Sequence, residues 1–159
     1  MSDNLFGLNV FVDSARHMCA WLEGPPMDPD HGINTAIKLL SSVHSEAMHL
    51  PAIVGDNNDI NAPTVCEEHI GSMQTRFADF PLKRFELNDP CNPDSENRIY
   101  NIFSAFALIH QFIKVGLDYY EQGERETALY YWKKGFKFHW GTFVAGFIYA
   151  LHCSAAEKT

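Results

Sequence analysis

Between Ile99 and Tyr120 the apolar residues fall at Ile99, Ile102, Phe103, Phe106, Ile109, Ile113, Leu117 and Tyr120, the three- and four-residue spacing of one helix face. Ala107, Phe112 and Val115 extend the apolar surface onto the other flank. A helix that is apolar most of the way round must be covered on several sides. This stretch therefore predicts a central helix inside an all-α bundle, and the rest of the chain should supply its cover.

Four or five further helices can be placed around it, giving a compact bundle of five to six helices in a single domain over residues 1–159. Leu8, Phe11, Val12, Ala15, Met18, Cys19 and Leu22 form the first stripe, which Gly24, Pro25 and Pro26 stop. The second runs through Ile33, Ala36, Ile37, Leu40, Val43, Ala47 and Met48, with Asp30 as its expected cap and Pro51 after it. Residues 55–63 have loop composition. Thr64 and Glu67 have the spacing of a capping box ahead of a third stripe at Cys66, Ile70, Met73 and Phe77.

Pro81, Pro90 and Pro93 make residues 80–97 an irregular connection, in which Phe85 and Leu87 are expected to lie extended across the bundle. Asp94 or Ser95 should cap the central helix, and Gly123 should end it. The fifth helix should start near Glu124 and bury Ala128, Trp132, Phe136 and His139. Gly141 is expected to break or kink it, before a sixth segment that runs to about His152 and a frayed tail at 155–159. Gly135, Gly141 and Gly146 read as close-packing positions rather than a phosphate-binding loop.

Composition narrows the function classes. The start of the chain lacks the basic and apolar regions of a signal peptide, and the apolar run from Phe143 to Leu151 is too short to span a bilayer. Cys19, Cys66, Cys91 and Cys153 form no closely spaced pair, so the expected setting is the reducing cytoplasm. Three of the four cysteines sit in apolar helical patterns, where a thiol behaves as a small hydrophobe. The net charge of −8 is concentrated in residues 1–97, which hold fifteen Asp and Glu against five Lys and Arg. Such a surface repels nucleic acid and anionic membranes and draws in a basic protein. Lys133, Lys134 and Lys137 read as a solvated helix face, whose charge complements the helix dipole.

Catalytic signatures are sparse. No activated serine or cysteine context is present, and Glu67 and Glu68, being adjacent, point about 100° apart on a helix. Histidine is the most suggestive group. His44, His69, His110 and His139 lie on or beside apolar stripes of four different helices, the way bundles assemble metal sites. The expectation is that no cofactor is held, with a transition metal on these four as the alternative. Glu46 and His49 share an i, i+3 spacing, but His49 should face water.

Several blocks carry a family resemblance: Phe85 through Asp89 and Pro90, Gly116-Leu117, Tyr120 to Gly123, Ala128 to Trp132, Phe136, His139-Trp140-Gly141 and Ala150 to His152. With the first two helices and His49-Leu50-Pro51, the chain resembles the bacterial domain family of unknown function 5063, Trp132 to Gly141 being the specific block. The resemblance implies an all-helical fold and brings no established activity. It departs from the family's pattern at Ser104, Ala105, Leu108 and Phe112, where charge is expected.

Together these features point to a non-enzymatic, acidic protein-binding module, of the kind that inhibits a basic bacterial toxin as an immunity protein or antitoxin does. Asp56, Asp59, Glu67, Glu68, Asp79, His139 and Trp140 are its candidate contact residues. A metal-dependent helical enzyme or sensor and a structural homo-oligomer are the alternatives.

Overall fold

Helix α1 (Ser2–Leu22) buries the whole of its predicted stripe, from Leu8 to Leu22. The computed structural model describes residues 2–53 and 63–157, so Asp56 and Asp59 lie outside the described residues. Helix α2 (Pro29–Ala47) begins two residues earlier than a cap at Asp30 predicts. Asp28, not Asp30, is the cap: its carboxylate accepts from the Asp30 N–H, and Pro29 takes the first helical position, where no N–H is needed. That same bond, with His31 beside it, holds the Asp28 carboxyl below its ordinary range.

Helix α3 (Glu67–Arg76) starts at Cys66 rather than at Thr64. The expected capping box is therefore not made, and Cys66 forms no side-chain cap bond. Only Met73 of this helix is fully buried, and Phe77 follows it into the core. Arg76 reaches back to α1, donating through Nε and Nη2 to the Trp21 carbonyl.

Residues 84–101 are where the sequence expectation needs most correction. Phe85 and Leu87 are extended, as expected, in strand β1 (Arg84–Leu87). Residues 98–101, assigned above to the central helix, instead form strand β2 (Arg98–Asn101), paired antiparallel with Phe85 opposite Tyr100. Ile99 is 68% exposed and not part of the helical stripe. Asn101 supplies the reason, since its side-chain oxygen accepts from the N–H groups of Phe103 and Ser104 and caps the helix there.

Helix α4 (Ile102–Glu121) is central, as its all-round apolarity requires: α1, α3, β2 and the next helix in the chain all pack on it. Gly123, at φ +84°, ends it in the left-handed region where glycine is unstrained. Helix α5 (Arg125–Gly135) then runs through a π-helical turn, Phe136–Trp140, into α6 (Gly141–Ala156). Helix α6 stays regular to Ala156, past the expected fraying point at 155. Gly146 lets Leu87 of β1 lie against it, since a Cβ there would come within 2.4 Å of a Leu87 methyl.

The core is aromatic along its length. Phe106 stacks on Phe77 at 4.2 Å and meets Trp21, Phe80 and Phe147. Phe147 continues the series by stacking on Phe85, which stacks on Tyr100. At the other end, Phe11 packs edge-on to Trp132. Offset and edge-to-face pairs of this kind add about 0.5–1.5 kcal/mol each beyond the area they bury. Of the cysteines only Cys19 is buried, and burial pushes its thiol up to about 12. Cys66 and Cys153 are exposed and do not serve as core hydrophobes.

Candidate functional site

Two places on the molecule gather groups that could act on another molecule. The first is a chain of three titratable side chains joining α1, α4 and α3. His110 Nε2 lies 2.8 Å from Glu23 Oε1, and His110 Nδ1 lies 2.8 Å from His69 Nε2. A carboxylate only accepts, so His110 Nε2 carries a proton. With His110 neutral, its Nδ1 is then an acceptor and His69 Nε2 is the donor. The two rings meet edge to face at 4.9 Å. The His110 side chain is 13% exposed and that of Glu23 is 47% exposed.

This geometry uses His110 at both nitrogens and turns it inward. The chain ties the end of α1 and helix α3 to the central helix. Burial first, and then the neighbouring His110, hold the His69 pKa below its ordinary 6.5. Glu23 also raises the Cys19 and Lys114 pKa values, in second place to burial for the thiol and behind Asp118 for the amine.

The pH consequence has a definite sign. Folded His69 binds a proton less readily than unfolded His69, so its contribution to stability is complete above about 6.5 and falls away as pH drops below that. The melting temperature should fall between pH 7.5 and pH 5, and His69→Gln should flatten that fall, because glutamine can still donate to His110 but cannot be protonated. A wild-type melting temperature that is level over this range would show that the histidine pair does not report on folding.

Of the four histidines proposed as metal ligands, only His69 and His110 come together. His44 Nε2 donates to the Gly141 carbonyl at 3.1 Å, and its ring meets Phe136 edge-on. His139 is exposed and stacks on Phe112 at 5.8 Å. Among the described residues, no group of three or more His, Cys, Asp or Glu converges as metal ligands would.

The π turn explains why His139 misses the core. The Gly141 N–H donates to Phe136 O, five residues back, so this turn holds one residue more than an α turn. The buried face passes from Trp132 to Trp140 and then to Val144, while Lys137, Phe138 and His139 turn outward. Trp140, a candidate contact residue, is buried against Phe11 and Phe136 instead of lying on the surface. Its indole N–H has no hydrogen-bond partner among the described residues. Gly141 is obligatory here: a Cβ would sit 2.4 Å from the Phe136 oxygen.

The second place is created by this outward turn. An open groove of about 510 Å³ runs between the end of α2 and the α5–π junction. Ala47, Met48, Ile53, Phe136 and Phe138 give it an apolar floor and lips, and Lys133, Lys134 and Lys137 give it charge. Met48 is 70% exposed and Phe138 61%, and the two share one concave surface, which is what marks an exposed apolar patch as an interaction site. Lys133 Nζ donates to the carbonyls of Leu50 and Pro51 at 3.1 and 2.9 Å, which fixes the ammonium at the rim. Lys134 Nζ donates to Tyr130 Oη, and Lys137 lies over the Phe138 ring.

Periodicity alone reads these lysines as a solvated face, because nothing in the residue order shows that the helix will widen at Phe136. Glu23 carries no sequence signal of its own, since only the crossing of α1 and α4 brings it to His110. The acidic candidates Glu67, Glu68 and Asp79 are exposed and form no ion pair among the described residues, but they lie on and after α3, away from the groove lining. Among the described residues no helix is long and apolar enough to cross a membrane.

The fold has a solved counterpart. The chain is similar to the crystal structure of protein BF1032 from Bacteroides fragilis, with a TM-score of 0.65 at 22% identity, over 92% of this chain and 90% of that one. At that identity the likeness concerns the fold. No curated protein matches the chain. The profile described as "Domain of unknown function (DUF5063)" matches residues 7–157, so that all but the start of α1, the whole of α2 through α6, the histidine chain and the groove fall inside it, and the protein belongs to that family.

Proposed function

We propose that this protein is a non-enzymatic docking module that binds another protein. The observation that carries the reading is the groove at the π turn. It exposes Met48 and Phe138 beside three lysines, and the described residues lining it include no carboxylate, histidine, cysteine or hydroxyl to work with those lysines as an acid–base or nucleophilic pair. A concave surface of apolar anchors with a charged rim is built for recognition. In the titratable chain Glu23–His110–His69 both nitrogens of His110 are already bonded within the molecule, and the chain serves to hold α3 in place.

A photo-crosslinking residue at position 138, introduced in the native host, tests this. It should give one discrete protein adduct that is absent when the crosslinker is at Arg84, an exposed strand position. Adducts at neither position, or equally at both, would sink the reading.

The acidic surface supports a second reading, capture of a basic protein such as a toxin. Glu67, Glu68 and Asp79 are exposed and have no ion-pair partner among the described residues, which suits a field that steers a cationic partner. In that case a crosslinker at Glu68 gives the adduct, and the protein attached to it is basic.

A further inference from the structure

The groove's composition says what kind of partner it suits. This inference rests on the docking reading above and narrows it. The molecule as a whole carries −8, yet the groove concentrates three cations. Among the described residues no carboxylate pairs with Lys133 or Lys137. The acceptors on Lys133 are two neutral carbonyls, and Lys137 lies over a neutral ring. Neither contact compensates the charge. Between these cations the floor is hydrocarbon and aromatic.

We infer that the groove takes a short acidic segment of another protein, one that inserts a large apolar side chain between Met48 and Phe138 while its carboxylates meet Lys133 and Lys137. Three properties select this occupant. The apolar floor needs a hydrophobic anchor, which a bare polyanion lacks. Lys133 and Lys137 lie one helical turn apart, a spacing that flanking carboxylates on a helix match. The volume, about 510 Å³, holds an anchor and its neighbours but not a folded domain. Nucleic acid is opposed by the acidic remainder of the surface. A concave site between two helix ends also suits a chain segment better than a lipid bilayer does.

The test uses the purified full chain and a fluorescein-labelled, end-blocked twelve-residue peptide of Glu, Leu and Ala with leucines at helical spacing. Fluorescence anisotropy should show saturable binding that weakens at least tenfold on raising salt from 0.05 to 0.5 M, since exposed charges are screened. Lys137→Glu with Phe138→Ser should weaken binding at least tenfold, and Arg84→Glu, the same change of charge on an exposed strand residue, should leave it unchanged. Both groove positions are exposed, so a dichroism spectrum identical to wild type should accompany the loss. Amide shifts in an NMR titration should centre on Met48, Ile53 and Phe138.

Four outcomes overturn the inference. If the Lys-for-Glu peptide binds and the acidic one does not, the partner is basic, and the docking reading survives without this site. If a Glu and Ser peptide with no leucine binds equally, the apolar floor plays no part. If phosphatidylglycerol vesicles bind and the peptide does not, the surface is a membrane contact. If none of these probes binds and position 138 gives no adduct in the host, the docking reading falls as well.

Discussion

Trp132→Ala should destabilise the protein by about 3–5 kcal/mol, the range for deleting a large aromatic from a packed core. Trp132 is fully buried, its ring meets Phe11 and Tyr120, and its Nε1–H donates to the Ile113 carbonyl at 3.1 Å. The loss is a large part of the ~5–15 kcal/mol that holds a typical domain together. The indole reaches that carbonyl only because Gly116 clears its path: a Cβ on Gly116 would lie 2.1 Å from the indole nitrogen. Gly116→Ala should therefore also be costly, by ~1–3 kcal/mol or more, as overpacking usually is. The two changes should not add. Once the indole is gone the methyl has room, so the double variant should be no less stable than Trp132→Ala alone. Chemical denaturation of the four proteins gives the coupling, expected at ~1–3 kcal/mol for residues in contact. Simple additivity would mean that the ring does not lie across Gly116.

The second large effect is expected at Gly141. Gly141→Ala places a methyl group against the Phe136 carbonyl and ring, with nearest approaches of 2.4 and 3.1 Å. The obstacle is main chain on one side, so a rotamer change cannot relieve it. A loss of ~1–3 kcal/mol is expected from the overcrowding, and the sign is informative because alanine is ordinarily the better helix former by ~1 kcal/mol. A gain in stability would mean that the segment is a regular α turn. The His44 bond to the Gly141 carbonyl gives an independent readout. If the π turn shifts, the His44 ring resonances should shift in the NMR spectrum, while those of His31, far along α2, stay in place.

The parts of the fold that could be read from the chain were those set by periodic burial. The stripe of α1, that of α2 up to Ala47 and the all-round apolarity of α4 are statements about which residues leave water, and tertiary packing honours them, whereas Met48, expected in the α2 stripe, lies past the helix end and is exposed. The misplacements occurred where a single local bond decides. Asn101 and Asp94 are comparable as caps on composition, and only the pairing of Arg98–Asn101 with Arg84–Leu87 makes Asn101 the one that is used. Asp28 and Asp30 differ in the same way, with Pro29 between them deciding in favour of Asp28. The site was less legible than the fold. The His69–His110 contact could be suspected from two stripes, but its third member, Glu23, depends on an interhelical crossing that periodicity does not encode. The groove depends on one surplus residue in one turn, and a pattern with a tolerance of one residue cannot register it.

That surplus residue also bears on how relatives should be compared with this chain. Alignment procedures put gaps in loops and treat helices as rulers of fixed pitch. Here the helix lengthens by one position between Phe136 and Trp140 without any loop. A relative whose helix lacks the wide turn would need its gap inside the helix, at Lys137, Phe138 or His139. Set against it without that gap, every downstream column would be turned by about 100° around the helix, and many would pair an inward side chain with an outward one.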